Sequence, residues 1–136
     1  MNKDINRDVK LSAAAITARL DKIGAPGAFR PRLAVILGSG LGAVADLLKE
    51  EANIPYAKLP GFPRLNVPGH EGSLRIGTVG GVPVMFLKGR VHPYEGKGFS
   101  HIKAMIRTLK TVGVDTLFLT NAAGSLREDN PPGTLV

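Results

Sequence analysis

Cysteine is absent from the sequence, which excludes disulfide bonds and thiolate metal sites and fits a reducing, cytoplasmic environment. Long apolar runs are absent as well, since none approaches the roughly 18 residues that a membrane-spanning helix needs. The polar N-terminal segment MNKDINRDVK is not followed by the apolar core of a secretory signal peptide. These absences predict a cytoplasmic protein with no membrane partner.

Histidine and aromatic residues are scarce. The three histidines, His70, His92 and His101, show no spacing typical of metal ligands, so we predict no metal site. His101 opens a predicted helix away from its apolar stripe, and we expect it at the surface. Aromatic residues make up 5% of the chain, and few of them lie among the basic residues.

Positive charge is in excess, with 18 lysines and arginines against 11 acidic residues and a formal net charge of +7. Such a charge balance first suggests a protein that binds nucleic acid, but the basic residues are scattered along the chain and form no continuous basic segment. In the densest group, Lys103, Arg107 and Lys110 share one face of a predicted helix, which is typical of a solvated face. We therefore predict no nucleic-acid partner; a basic surface also attracts small anionic substrates.

The 136 residues predict a single domain with alternating helices and apolar strands. Apolar spacing predicts helices over 9–23 and 99–112, the second ended by Gly113 at its C′ position. Strands are predicted over 33–37, over 73–79 and 82–89 as a hairpin, and from residue 115 onward. Residues 52–73 hold four prolines and three glycines and are predicted as a long loop. The fold class is therefore α/β, with a mixed central sheet flanked by helices.

Three glycines and a serine follow the first buried strand, at Gly38, Ser39, Gly40 and Gly42. Helical spacing resumes at Leu41. A strand that enters a helix through such a turn aims backbone N–H groups and the positive helix end at one point, where an anion would bind. A tight turn that needs positive φ explains the glycines equally well, so both interpretations stay open on this stretch alone.

The same turn fits the dinucleotide pattern G-x-G-x-x-G/A through Gly38, Gly40 and Ala43. That pattern also requires an acidic residue about 20 residues after the glycines, at the end of a second strand. No acid lies between Glu51 and Glu71. A phosphate-binding P-loop is excluded, because no Lys-Ser or Lys-Thr pair closes the turn.

Polar side chains are concentrated in the segment GRVHPYEG, directly after a predicted strand. Arg90, His92 and Tyr94 alternate and would share a face in extended chain. Guanidinium suits an oxyanion, histidine moves protons near neutrality, and tyrosine packs on a sugar. An exposed polar loop is the less favoured alternative.

Two further stretches are ambiguous by themselves. In VPGHEG, His70 fits either a ligand-capping loop or an ordinary exposed loop. In TNAAGSL, the small side chains after Asn121 would let a ligand approach the backbone, although a strand-to-loop turn explains them as well.

Together, four stretches resemble the purine nucleoside phosphorylases of the trimeric class: GSGLG, VPGHEG, GRVHPYEG and TNAAGSL, in that order. The resemblance runs from about Ala34 to the last residue and rests on the set rather than on any single motif. It implies that residues 1–136 form one truncated nucleoside-phosphorylase-like α/β domain, the N-terminal half of a larger one. The related methylthioadenosine phosphorylases share the scaffold but usually differ in the glycine turn.

The resemblance implies reversible phosphorolysis of purine (deoxy)ribonucleosides, with inorganic phosphate as co-substrate, no cofactor and a homotrimer. The residues at the family's phosphate-binding positions are Ser39, His70, Arg90 and Ala122, the last through its backbone N–H. Tyr94 is implied to contact the ribose, and His92 is the implied catalytic residue lining the sugar and phosphate. The implied pocket-shaping residues are Gly38, Gly40, Asn121 and Ala123.

The resemblance also implies what this sequence does not supply. The family reads the purine with a glutamate and an asparagine from its C-terminal half, and neither Glu95 nor any other acid here matches that position. We expect the isolated chain to be inactive or nearly so, and the apolar ending at 134–136 to begin a strand with more chain beyond it. The alternatives are a remnant that binds phosphate or a partner subunit without catalysis, a dinucleotide-binding domain, and a basic nucleic-acid module.

Overall fold

The computed structural model describes residues 3–38, 40–65, 72–89 and 99–136. Two helices, five strands and two short 3-10 helices are formed within these ranges. In chain order they are α1 (Lys3–Leu20), β1 (Leu33–Leu37), the first 3-10 helix (Gly42–Leu47), β2 (Lys49–Pro55), the second 3-10 helix (Tyr56–Lys58), β3 (Ser73–Val79), β4 (Val82–Lys88), α2 (Ser100–Thr111) and β5 (Thr116–Leu119).

The five strands form one mixed sheet in the order β2-β3-β4-β1-β5, which confirms the predicted fold class. The central strand β1 runs parallel to both β4 and β5. The other two pairs, β2 with β3 and β3 with β4, are antiparallel. Gly80 and Gly81 close the β3–β4 hairpin, as the sequence predicts.

The two faces of the sheet carry separate apolar layers. On one face, α1 and α2 cover alternate strand residues such as Ala34, Ile36 and Leu87. On the other face, the first 3-10 helix contributes Ala45 to a smaller cluster. That cluster also contains Val35, Leu37, Leu48, Val84 and Phe86. The strand β1 is therefore apolar throughout because both of its faces are covered.

The helix α2 ends as its sequence predicts. The N–H of Gly113, at φ +102°, donates to the carbonyl of Lys110, and the N–H of Val114 donates to that of Leu109. These two bonds form a Schellman cap. The predicted apolar stripe is only partly buried, because Phe99 and Ile102 are 61% and 38% exposed.

The region after the glycine turn differs from its prediction. Helical spacing resumes only as the short 3-10 helix, and the expected loop over 52–73 holds most of β2 and the second 3-10 helix. As an edge strand that pairs only with β3, β2 begins with the polar residues KEE, and only Ala52 and Ile54 alternate toward the core, which is too short a pattern to predict a strand. Its terminal Pro55 is compatible with an edge strand. The helix α1 also starts earlier than predicted, at Lys3, and ends at Leu20.

The C-terminal part of the described chain is irregular after β5. The predicted strand at 134–136 is wrong, since the N–H of Thr134 closes a turn on the carbonyl of Pro131. Leu135 and Val136 are fully exposed, and no described strand lies beside them to complete a ladder.

The strand β5 is the other edge of the sheet and is largely uncovered. Phe118 and Leu119 are 60% and 62% exposed. An open apolar cavity of about 150 Å³ lies between α2 and β5, lined by Ile106, Leu109, Lys110 and residues 114–117. Among the described residues, no helix is long and apolar enough to cross a membrane.

Candidate active site

Four strand ends lie at one edge of the sheet, which we call the motif edge. The carboxyl ends of β1, β4 and β5 meet there because these strands are parallel: Leu37 pairs with Lys88, and Ile36 pairs with Leu119. The first residue of β3, Ser73, also pairs with Lys88, because β3 is antiparallel to β4. Each of the four sequence motifs is joined in sequence to one of these strand ends. This is the edge where α/β sheets place their ligands.

The glycine turn after β1 contacts the small-residue segment after β5. The N–H of Gly38 donates to Thr120 Oγ1 at 2.7 Å, and that hydroxyl donates to the carbonyl of Ile36 at 3.0 Å. A Cβ on Gly38 would lie 2.6 Å from the Thr120 carbonyl oxygen and 3.0 Å from Asn121 Cα. Only glycine fits at position 38, so the first and fourth motifs pack directly against each other.

This contact refines the prediction for the glycine turn. The N–H of Gly38 is already bonded within the protein and is not available to an anion. Gly40 has φ +81°, so part of the turn's glycine content serves backbone conformation. The close packing of Gly38 and the positive φ of Gly40 support the tight-turn interpretation, and anion binding at the turn stays a prediction.

The segment after β5 offers open backbone. Asn121, Ala122 and Ala123 are exposed and irregular, and their side chains are small. Among the described residues, no hydrogen bond uses the N–H of Ala122. A ligand at the motif edge could therefore reach this N–H without displacing a partner from the described part of the chain.

The flanks of the other two motifs also lie together. Gly89, which follows β4, has φ +96°, and a Cβ on it would lie 2.4 Å from Leu65 Cδ1 and 3.2 Å from Gly72 Cα. Leu65 and Gly72 border the segment that contains His70, and Gly89 precedes Arg90. The described chain therefore holds the ends of both segments at one point, where side chains larger than glycine would clash.

Tyr56 hydrogen-bonds to the ends of both segments, and sequence reasoning did not predict this role. Its hydroxyl donates to the carbonyl of Gly89 at 3.0 Å, and its N–H donates to the carbonyl of Gly72 at 2.8 Å. The side chain is 2% exposed, and burial raises the pKa of Tyr56 above its ordinary value. The only sequence signal was a single tyrosine within the predicted loop over 52–73, which by itself indicates no such contact.

Ion pairs connect the first 3-10 helix to the sheet. Arg75 of β3 hydrogen-bonds to Glu50 of β2 and, at 3.2 Å, to Asp46 of the 3-10 helix. The Arg75 side chain is 17% exposed, and the bond to Glu50 raises its pKa. This pairing fixes the 3-10 helix that follows the glycine turn.

The predicted residues fall into two groups. Gly38, Gly40, Asn121, Ala122 and Ala123 are described, and the structure brings the ends of their segments together at the motif edge. The second group lies outside the described residues and comprises Ser39, His70, Arg90, His92 and Tyr94.

His101 is less exposed than predicted. It is half-buried, with Nδ1 3.3 Å from the carbonyl oxygen of Gly61. Its surface assignment is therefore only partly right, because the loop after β2 covers the first turn of α2. Within the described ranges, no three His, Asp or Glu side chains are grouped closely enough to hold a metal ion.

Comparison with known proteins gives a consistent result. The profile of the phosphorylase superfamily matches residues 32–136. Purine nucleoside phosphorylase 1 of Geobacillus stearothermophilus is 42% identical over 106 residues, which is 78% of this chain and 39% of that protein. Purine nucleoside phosphorylase of Bos taurus is 39% identical over 107 residues, covering 79% of this chain and 37% of that protein.

Solved structures agree. A purine nucleoside phosphorylase in complex with ribose-1-phosphate superposes with a TM-score of 0.79 at 38% identity, covering 93% of this chain and 44% of that one. The Schistosoma mansoni enzyme in complex with adenosine gives a TM-score of 0.77 at 38% identity, covering 93% and 42%. The chain thus spans about two fifths of the length of these relatives. Sequence and fold together show that the chain belongs to the phosphorylase superfamily and that, within it, the chain is similar to the purine nucleoside phosphorylases.

Proposed function

We propose that this chain supplies the phosphate site and part of the ribose site of an enzyme that phosphorolyses purine (deoxy)ribonucleosides. The observation that carries the proposal is the attachment of all four motifs to strand ends at one edge of the sheet. The printed names of the relatives support it, since each is a purine nucleoside phosphorylase.

The proposed reaction is a displacement at the anomeric carbon. A phosphate oxygen forms a bond to that carbon, the glycosidic bond to the purine nitrogen breaks, and the base leaves with the electron pair and takes up a proton. Positive charge develops on the sugar in the transition state. An anion held firmly beneath the sugar both acts as the nucleophile and stabilises that charge.

The proposed residue roles follow this requirement. The phosphate is held by Ser39, His70, Arg90 and the backbone N–H of Ala122. Arginine suits the bidentate geometry of phosphate, and a free N–H adds a fixed donor. His92 is the proposed catalytic residue beside sugar and phosphate, and Tyr94 contacts the ribose. Gly38, Gly40, Asn121 and Ala123 shape the pocket around them.

The purine side of the site is proposed to come from polypeptide that this chain does not contain. The relatives are more than twice as long as the segment that this chain matches. We propose phosphate as co-substrate without a further cofactor, a homotrimeric assembly in the cytoplasm, and no nucleic-acid or membrane partner.

A second candidate function is binding without catalysis. The open edge of β5, with Phe118 and Leu119 exposed, favours association with a partner subunit. In this alternative the chain binds phosphate or that partner and turns over no nucleoside.

The test measures phosphate binding and turnover separately. We expect the purified chain to bind inorganic phosphate, and Ala122→Pro to weaken that binding about five- to twentyfold because the proline lacks the donating N–H. Gly124→Pro is the matched control, since it removes a backbone N–H at a residue with no assigned role and open space around it, and leaves that of Ala122. Equal binding by both variants and the parent chain would exclude the assigned role of Ala122.

Turnover distinguishes the two candidate functions. We expect no steady consumption of phosphate with inosine or adenosine by the chain alone. We expect turnover once a fragment carrying the remaining residues of the Geobacillus stearothermophilus relative is added. Phosphate binding without turnover in that mixture would favour the non-catalytic alternative.

A further inference from the structure

Lys88 lies at the motif edge and belongs to none of the four motifs. It is the last residue of β4 and pairs with Leu37 on one side and Ser73 on the other. Val84 and Phe86, four and two residues before it, belong to the apolar cluster under the first 3-10 helix. Because strand side chains alternate, Lys88 is on the same face of the sheet as the glycine turn and that helix.

The Lys88 side chain extends along the glycine turn. A Cβ on Gly42 would lie 3.6 Å from Lys88 Cε, an ordinary van der Waals distance. The residue as a whole is exposed. A lysine that packs its aliphatic stem on the protein keeps its ammonium group in water, and here that group is held beside the turn.

Among the residues that the structure describes, no neighbour on this face neutralises the charge of Lys88. In the described part of the chain, the Lys88 side chain makes no ion pair and no hydrogen bond. Of the three acidic residues on the adjoining 3-10 helix and β2, Asp46 and Glu50 are engaged by Arg75, and Glu51 is exposed at the register shift of β2. A positive charge is therefore left at the end of the sheet where an anion is proposed to bind.

We infer that Lys88 recruits and retains phosphate at the motif edge through its charge, as a residue additional to the phosphate ligands. This inference rests on the proposed function. At a separation of one or two water diameters, a lysine acting on a phosphate dianion through water changes its affinity about three- to tenfold. The effect should weaken as added salt shortens the screening length.

The test compares variants of the full chain with inorganic phosphate as the probe. Dissociation constants are measured at about 0.02 M and about 0.3 M ionic strength. Lys88→Gln should weaken binding about three- to tenfold at the lower ionic strength and less than about twofold at the higher one, whereas Lys88→Arg should retain it. Lys10→Gln, on the exposed side of α1 across the sheet, removes the same charge and should leave affinity nearly unchanged.

The outcomes separate this inference from the proposed function. If the parent chain binds phosphate and Lys88→Gln behaves like Lys10→Gln at both ionic strengths, the role of Lys88 is overturned and the phosphate site stands. If the parent chain does not bind phosphate, both proposals fail. Because Lys88 is exposed, its variants should unfold at the same temperature as the parent chain, which excludes a structural cause.

Discussion

Gly38 and Thr120 are joined by two constraints at once: a 2.7 Å hydrogen bond from N–H to hydroxyl, and a backbone approach that leaves no room for a Cβ. Residues 82 positions apart in sequence thus fix the end of β1 against the end of β5. The geometry of the motif edge depends on this contact.

Gly38→Ala should therefore destabilise the fold. Its Cβ would lie 2.6 Å from the Thr120 carbonyl oxygen, a backbone atom that can yield only if β1 and β5 separate. We expect a loss of about 1–3 kcal/mol in the free energy of unfolding, measured by urea titration. Gly124→Ala is the control, since nothing lies within 4 Å of its added Cβ. An equal effect of the two substitutions would contradict this interpretation.

Tyr56→Phe should change how stability depends on alkaline pH. Burial raises the pKa of Tyr56 in the folded chain above the ordinary value of 10.0. Above that pH the unfolded chain releases the phenolic proton and the folded chain retains it, so the free energy of unfolding falls as pH rises. One group gives a slope of up to about 1.4 kcal/mol per pH unit.

The phenylalanine variant lacks this group and should lose that part of the slope. At neutral pH it should be less stable by about 1 kcal/mol, because the Gly89 carbonyl loses its donor. Chemical denaturation of both proteins at a series of pH values from 7 to beyond 10 measures both effects. Parallel stability curves for the two proteins would show that Tyr56 does not titrate differently on folding.

Thr108→Val should stabilise the protein. Thr108 is fully buried in α2, and among the described residues its Oγ1 has no hydrogen-bond partner. Replacing the hydroxyl by a methyl group of similar shape removes the desolvation penalty, with an expected gain of about 1 kcal/mol by thermal unfolding. Thr108→Ser keeps the hydroxyl and loses the methyl group, so it should lower stability. A less stable valine variant would indicate that the hydroxyl is bonded in solution.

Phe118→Lys should reduce self-association. The strand β5 is an uncovered edge, and Phe118 is 60% exposed on it. A lysine on an edge strand opposes pairing with another chain. Light scattering over a range of protein concentrations measures the change. Val82→Lys is the control, because Val82 is similarly exposed at 57% but starts the hairpin strand β4 in the interior of the sheet order. Equal loss of association in both variants would implicate net charge rather than the β5 edge.

Sequence patterns predicted the parts of the fold whose signals are local. The apolar run Leu33–Leu37, the Gly80–Gly81 turn and the cap at Gly113 each follow from a few neighbouring residues. The strand β2 was missed because only Ala52 and Ile54 of Lys49–Pro55 alternate toward the core, which is too short a pattern to predict a strand. The strand expected at 134–136 did not form, because no described strand pairs with it.

Sequence reasoning predicted the motifs of the candidate site but not how they are arranged, and the roles of their residues stay predictions. The four motifs could be read from the sequence, but periodicity alone does not reveal that β1 lies between β4 and β5, and this strand order is what brings their ends together. The Tyr56 contacts with Gly72 and Gly89 join residues distant in sequence, so no local signal indicates them.

The hairpin between β3 and β4 turns at the end of the sheet opposite the motif edge. Gly80 and Gly81 have open space around them, with nothing within 4 Å of an added Cβ. A reporter peptide or a small folded tag inserted between them would project from the far side of the sheet, at the kind of exposed loop tip that tolerates insertion. Such an insertion would serve for immobilisation or fluorescence labelling and would leave the motif edge unobstructed.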